Sequence, residues 1–191
     1  MTFILDNISS TLVYGILALL LAGMQLRMQR AAIEQSVVYM SKTQTLSFAD
    51  LLEQDIKQIG SGVEGDMIES ITTSEAGLTT GFTFNSTLDD GSPLVIGYAL
   101  ETAGQISTDD GYVTLYRLMR TENGAGAGGS PATLRSFQVE LLDESGGPAS
   151  EATARLVRVA FVNAYAIGDL DDYNLRQTYW GATLRPINLQ D

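Results

Sequence analysis

The chain has 191 residues, of which 45% are apolar, so it can form one globular domain with a real core and an additional N-terminal segment. The net charge is −12 and the 11 Lys and Arg residues form no cluster, so we expect no nucleic-acid partner. The 23 acidic residues are dispersed among apolar-rich segments, which argues against a disordered acidic tail.

Cysteine and histidine are both absent from the sequence. Their absence excludes disulfide bonds, thiol catalysis, histidine-based triads and metal sites built from His and Cys. A membrane-anchored hydrolase that uses a pair of carboxylates remains an alternative. Because the usual general base is missing, we predict that the protein is not an enzyme.

The first predicted element is an apolar helix near the N-terminus. Residues 7–26 carry no formal charge, and about 20 residues of helix span the hydrocarbon layer of a bilayer. We therefore predict that residues 1–26 form a single membrane-spanning and assembly helix. A buried core helix is the alternative, although a single core helix is seldom apolar on all sides. The segment does not read as a signal peptide, because Asp6 and no basic residue precede it.

The second predicted element, residues 27–60, is an amphipathic continuation of that helix. It has no Pro or Gly before Gly60, which supplies a C-terminal stop. Residues 47–50 match a capping box, so we expect a bend or restart of the helix near residues 43–47. Apolar residues recur at helical spacing and form one stripe: Ile33, Val37, Met40, Phe48, Leu52, Ile56 and Ile59.

Residues 61–191 are predicted to form a β-rich globular domain, because the apolar period changes from helical to alternating. The predicted strands are 82–84, 94–100, 112–119, 136–142, 156–162 and 179–184. Residues 123–130 are Gly-rich and are expected to form a flexible loop between two strands. The fold class is therefore α+β, with the long helix packed by its apolar stripe on an antiparallel sheet.

One short acidic segment is a candidate metal site. Asp169, Asp171 and Asp172 lie close together in the sequence, and alternating carboxylates are suitable ligands for calcium. The segment lacks the central Gly and the later Glu of an EF-hand loop, so a solvated acidic turn is the favoured interpretation. No other cofactor is expected.

Several stretches of the chain resemble parts of one protein family. Residues 49–60 resemble the end of its long helix, and 98–100 with 115–117 resemble its central hairpin. Residues 136–146 resemble its next strand and turn, and 184–189 resemble its final strand. Together with the apolar N-terminal helix, they resemble the type IV pilins and type II secretion pseudopilins, most closely minor pilins and pseudopilins of the J type.

The resemblance implies a structural subunit of a type IV pilus or of a type II secretion-like filament. Its partners would be other pilin-like subunits, the assembly machinery and membrane lipid. The location would be the bacterial cell envelope or a surface filament, with the β-rich domain outside the cytoplasm. Assembly would use small residues that let helices approach closely, namely Gly15, Ala18, Ala22 and Gly23.

The chain departs from the family pattern at its N-terminus. The family has a short basic leader that ends in Gly, and a Glu at the fifth mature position. Removal of Met1 would make Asp6 the fifth residue, paired with a neighbour's N-terminal ammonium. A solvated charge at a helix start is the alternative for Asp6. Arg27 and Arg30 follow the apolar run, and the positive-inside rule alone would place the large domain in the cytoplasm.

A lone membrane-anchored binding or adhesion module that never polymerises is the alternative function. Such a tether more often has a Gly-, Ser- or Pro-rich linker after the membrane span. This chain instead keeps a helical apolar stripe over residues 33–59. The sequence therefore favours a filament subunit.

Overall fold

The computed structural model of the chain describes residues 2–88, 90–108, 111–169 and 172–186, with side chains from 10 to 166 and from 175 to 186. One helix and eight strands are found in these ranges. They are α1 (Thr2–Lys57), β1 (Ile68–Thr73), β2 (Thr79–Thr87), β3 (Pro93–Thr108), β4 (Gly111–Glu122), β5 (Ala125–Gly129), β6 (Leu134–Leu142), β7 (Leu156–Asp169) and β8 (Asp172–Leu184).

The chain divides into two compact units, residues 1–40 and residues 41–191, and each is described by itself. The first unit consists of the N-terminal part of α1. The second contains the last part of α1 and the whole sheet. Within the second unit the helix packs on the antiparallel strands, which confirms the predicted α+β fold.

The sheet has the strand order β1-β2-β3-β4-β6-β7-β8, and β5 also pairs with β4. All strand pairs are antiparallel, and most connect strands that are neighbours in the sequence. The exception is the pairing of β4 with β6, which consists of a single residue pair, Tyr116 with Leu134. The sheet is therefore continuous but is held at its middle by little backbone pairing.

The six predicted strands all exist, and each is part of a longer strand. Strand β1 was not predicted, because its two isoleucines, Ile68 and Ile71, lie three residues apart instead of two or four. The register between β1 and β2 shifts between Ile68 and Ser70, as at a β-bulge. A bulge inserts one residue into the strand and so breaks the alternation by which a strand is recognised in a sequence.

The expectation of a flexible loop at residues 123–130 is wrong, because this segment contains β5. Asn123 and Gly124 have φ angles of 49° and 79°, the left-handed conformation of a tight hairpin turn. Gly129 then passes so close to β4 that a Cβ atom would lie 2.3 Å from the carbonyl oxygen of Leu118. The glycines that suggested a flexible loop therefore allow a close pairing of strands.

The last part of α1 contributes the predicted stripe to the core. Phe48, Leu52 and Ile56 are each at most 4% exposed. The ring of Phe48 contacts Phe161 of β7 edge to face, with 5.3 Å between ring centroids. The predicted packing of Phe48, Leu52 and Ile56 against the sheet is confirmed, whereas Ile33 and Met40 of the same stripe are exposed.

The helix does not restart at residues 43–47, as the capping box had suggested, because α1 is uninterrupted from Thr2 to Lys57. The hydroxyl of Thr45 donates a hydrogen bond of 2.8 Å to the carbonyl of Ser41, so this buried polar side chain is satisfied inside a continuous helix. The predicted stop at Gly60 is confirmed, since α1 ends at Lys57 and Gly60 has a left-handed φ of 72°. The N–H of Gly60 donates to the carbonyl of Asn85 at 2.8 Å, which joins the end of the helix to β2.

We expect Leu52→Asp to lower the free energy of unfolding by about 3–5 kcal/mol, because it places an unpaired charge among buried apolar side chains. Leu46→Asp is the matched control, since Leu46 is 59% exposed on the same helix and its replacement should cost less than about 1 kcal/mol. Urea unfolding of the full chain in mild detergent, followed by fluorescence of the single tryptophan, measures both. Equal effects of the two substitutions would contradict the packing described.

Candidate functional site

The N-terminal unit presents an apolar helix surface. From Ser10 onward α1 is long and apolar enough to cross a membrane, and none of its most apolar window is buried. Large apolar side chains are exposed along its length, among them Leu12, Tyr14, Leu19, Leu21, Met24, Met28, Ile33 and Met40. An exposed apolar surface of this length indicates contact with lipid or with other helices.

The structure brings three of the predicted assembly residues to one face of this helix. At 3.6 residues per turn, Gly15, Ala18 and Ala22 lie within an arc of about 60°. Gly23 lies about 100° away from Ala22 around the axis, so it does not belong to that face. A Cβ atom on Gly15 would have no neighbour within 4 Å, which leaves room for a second helix. The side chain of Asp6 lies outside the described residues.

Two of the candidate calcium residues, Asp169 and Asp172, lie at the end of β7 and at the start of β8. The backbone of Asp169 pairs with that of Asp172 where the two strands end and begin. Asp171 and the side chains of Asp169 and Asp172 lie outside the described residues, so calcium binding stays a prediction. Among the residues that the structure describes, no group of three His, Cys, Asp or Glu side chains could hold a metal ion.

The most elaborate polar cluster connects the helix to the sheet. Asp55 of α1 is 3% exposed and accepts two hydrogen bonds from Arg120 of β4, from Nε at 2.6 Å and from Nη2 at 3.0 Å. The hydroxyl of Tyr98 donates a third hydrogen bond to the same carboxylate. Tyr98 and Arg120 are opposite each other on β3 and β4, so two neighbouring strands hold one helical side chain.

Each charge in this cluster has a partner. Arg120 also donates from Nη1 to Glu122, whose side chain is 44% exposed, so the buried pair is linked to the surface. Burial raises the pKa of Tyr98, and the charge and hydrogen bond of Asp55 raise it further. The hydrogen bond with Asp55 raises the pKa of Arg120. Tyr98 is therefore neutral and Arg120 charged throughout the physiological pH range.

A second polar contact joins the same helix to β7. The side-chain amide of Asn163, which is 1% exposed, donates a hydrogen bond of 2.7 Å to the hydroxyl of Thr45. Thr133 donates to the amide oxygen of Asn163 at 3.4 Å. Thr45 and Asp55 are ten residues apart, or about 15 Å along the helix. Two separate polar contacts therefore fix both the height and the rotation of the helix on the sheet.

This cluster was not predicted, although the sequence contains a signal for it. Phe48, Leu52, Asp55 and Ile59 are spaced by four, three and four residues, so Asp55 occupies a position of the apolar stripe. A charged residue at such a position requires a buried partner. In the folded protein its oxygens are occupied by Arg120 and Tyr98, and this cluster has a structural role.

The sheet domain also has an open cavity of about 420 Å³ between the start of β1 and the segment that precedes β7. Asp66, Glu69 and Glu151 contribute exposed carboxylates to its lining, and Arg155 contributes the one cationic side chain among its lining residues. Ile68 is the buried apolar residue of the lining. We call this feature the acidic cleft.

We expect Asp55→Ala to destabilise the protein by about 3–5 kcal/mol, because it leaves Arg120 buried without its partner. Replacing all three groups with apolar residues, as Asp55→Leu with Arg120→Met and Tyr98→Phe, should recover most of this loss. Glu53→Ala is the control, since Glu53 makes only an exposed ion pair with Lys57, and its loss should cost less than about 1 kcal/mol.

Urea unfolding of the full chain, followed by tryptophan fluorescence, measures these effects. The ring centroid of Trp180 lies 5.2 Å from that of Phe161, so the fluorescence reports on the core. A triple variant no more stable than Asp55→Ala would show that the cluster contributes more than the pairing of buried charge.

For the acidic hairpin we expect thermal unfolding of the full chain to be the same with calcium as with a chelator, as a solvated turn requires. A bound ion at about 100 times its dissociation constant would instead add about 2.7 kcal/mol of stability. An increase of the melting temperature with calcium, absent in an Asp171→Asn variant, would contradict this expectation and assign a metal site.

Comparison of the chain with protein-family models, with curated proteins and with solved structures found no match.

Proposed function

We propose that this protein is a structural subunit of a pilin-like filament, either a minor pilin of a type IV pilus or a pseudopilin of a type II secretion-like system. The observation that carries the proposal is the exposed apolar surface of α1 within residues 10–40, on the helix whose last part is built into a β-rich domain. The role is structural, and the proposal includes no catalytic step.

The length of the exposed apolar surface favours assembly over simple anchoring. The hydrocarbon layer of a bilayer is about 30 Å thick, which about 20 residues of helix span. Ile33 and Met40 are 63% and 59% exposed, and they lie about 10 Å and 20 Å beyond Leu26 along the helix. Apolar side chains at that distance from the uncharged segment need a protein partner, and neighbouring subunits supply one.

The small face of the helix supports the same proposal. A helix that only anchors a domain in lipid has no need of a surface for close contact. Gly15, Ala18 and Ala22 lie together on one side, and small residues on one side allow two helix backbones to approach. The partners are other pilin-like subunits, the assembly machinery and membrane lipid. We place the β-rich domain on the extracytoplasmic side of a bacterial envelope.

Cysteine cross-linking in the native host tests the proposal, against a chain that has no cysteine of its own. Single substitutions Ala18→Cys, Ala22→Cys and Val37→Cys should each give adducts with partner helices. Leu20→Cys is the matched control, because it lies about 160° from Ala18 and Ala22 around the helix and should cross-link several-fold less. The chain should be recovered in the membrane fraction throughout.

If the three test positions react only with lipid-phase or aqueous reagents and give no protein adduct, the filament proposal fails. A lone membrane-anchored binding or adhesion module then takes its place.

A further inference from the structure

The charges of the chain are separated along the sequence. Of the 23 acidic residues, only Asp6 and Glu34 precede residue 50. Of the 11 basic residues, only Arg27, Arg30 and Lys42 precede it. The part from residue 50 onward therefore has 21 acidic and eight basic residues and a net charge of −13. Residues 7–49 have a net charge of +2. Opposite charges on two parts of one chain allow these parts to attract each other between copies.

The positive part of the chain is an exposed helix segment. Arg27, Arg30, Ile33 and Val37 fall within about 120° around the axis, so cationic and apolar side chains share one face, together with Glu34. Arg27 and Ile33 are exposed, and Val37 is half-buried. We call the segment of residues 27–37 the basic helix segment.

The negative part offers a surface of matching character. The acidic cleft has three exposed carboxylates and one arginine in its lining, so it has a net negative charge. Met67 and Ala152 add apolar atoms beside these charges. A volume of about 420 Å³ is large enough for cationic and small apolar side chains but too small for a folded element.

We propose that the basic helix segment of one copy docks on the acidic cleft of a second copy. Arg27 and Arg30 face the carboxylates, and the apolar side of the segment contacts Met67 and Ala152. The proposal rests on the proposed assembly function and names the surface that the partner subunit contributes.

This contact joins two different surfaces, so after one contact each of the two copies can still use its other surface to bind a further copy. Such a heterologous contact extends into a ring or an open filament instead of closing as a dimer. A second copy is the favoured occupant because its charge is complementary. The parts of two copies from residue 50 onward, each with a net charge of −13, repel each other, and a contact between the helix segment and the cleft replaces part of that repulsion with attraction.

The test uses two differently tagged forms of the full chain in mild detergent at low salt. One copy carries Ala31→Cys, an exposed position beside Arg27 and Arg30, and the other carries Ala152→Cys in the cleft. A short bismaleimide should give a mixed adduct between the two tags, and this adduct should weaken several-fold at about 1 M salt, where charges are screened within about 3 Å. A copy with Gln177→Cys, exposed on β8, is the control for random collision and should give little mixed adduct.

Charge reversal tests the chemical basis of the contact. Arg27→Glu with Arg30→Glu in the first copy should reduce the mixed adduct at least about fivefold, a loss of about 1 kcal/mol of binding free energy. Glu69→Lys with Glu151→Lys in the second copy should restore it. A mixed adduct that neither salt nor charge reversal changes overturns the proposal.

The outcomes separate this proposal from the assembly function. Adducts between two Ala31→Cys copies without the mixed adduct support helix association and overturn docking on the cleft. Absence of both kinds of adduct contradicts both proposals. Mixed adduct with the Gln177→Cys control at the level of Ala152→Cys shows random collision and also overturns the docking proposal.

Discussion

The ion pair between Asp55 and Arg120 is the interaction that fixes the position of the helix on the sheet. Removing two charges from water is costly, and their attraction offsets that cost only if their hydrogen-bonding groups are well satisfied. Arg120 meets Asp55 with two hydrogen bonds, and Tyr98 adds a third. This arrangement is satisfied at one height and one rotation of the helix, because a shift by one residue would turn Asp55 by about 100°. An apolar stripe alone tolerates sliding, whereas a buried bidentate pair does not.

Helix α1 contributes residues to both compact units of the chain. Phe48 and Leu52 belong to the core, and their neighbours along α1 before residue 41 belong to the other compact unit. Apolar residues therefore serve two different purposes on a single helix. Those near the C-terminal end stabilise a domain, and those near the N-terminal end are exposed. Gly15 and its small neighbours suit the proposed association with other helices, because small side chains gain little from lipid but permit close helix packing.

Much of the fold could be predicted from the sequence because it follows from regular periods. The helical stripe at Phe48 and the alternation of β6 each bury one face, and such patterns are visible without a structure. Periodicity is no guide where local geometry breaks it, at the bulge near Ile68 and at the glycine strand β5. The buried cluster was also not predicted, because Asp55 obtains its partner from a strand 65 residues away in the sequence. Only the tertiary pairing of β3 with β4 places Tyr98 and Arg120 beneath it.

The proposed assembly and the distribution of charge support each other physically. The unit of residues 41–191 has 21 acidic and nine basic residues and a net charge of −12, so like charges oppose the association of two such units through their general surface. Association through an apolar helix avoids this obstacle, since the helix surface around Ala18 carries no charge. The repulsion then acts on how the domains are arranged around the helices. It favours arrangements in which the acidic cleft of one copy meets Arg27 and Arg30 of another, and it disfavours those in which two clefts face each other. In the proposed assembly, apolar contact thus supplies affinity, while charge selects the geometry.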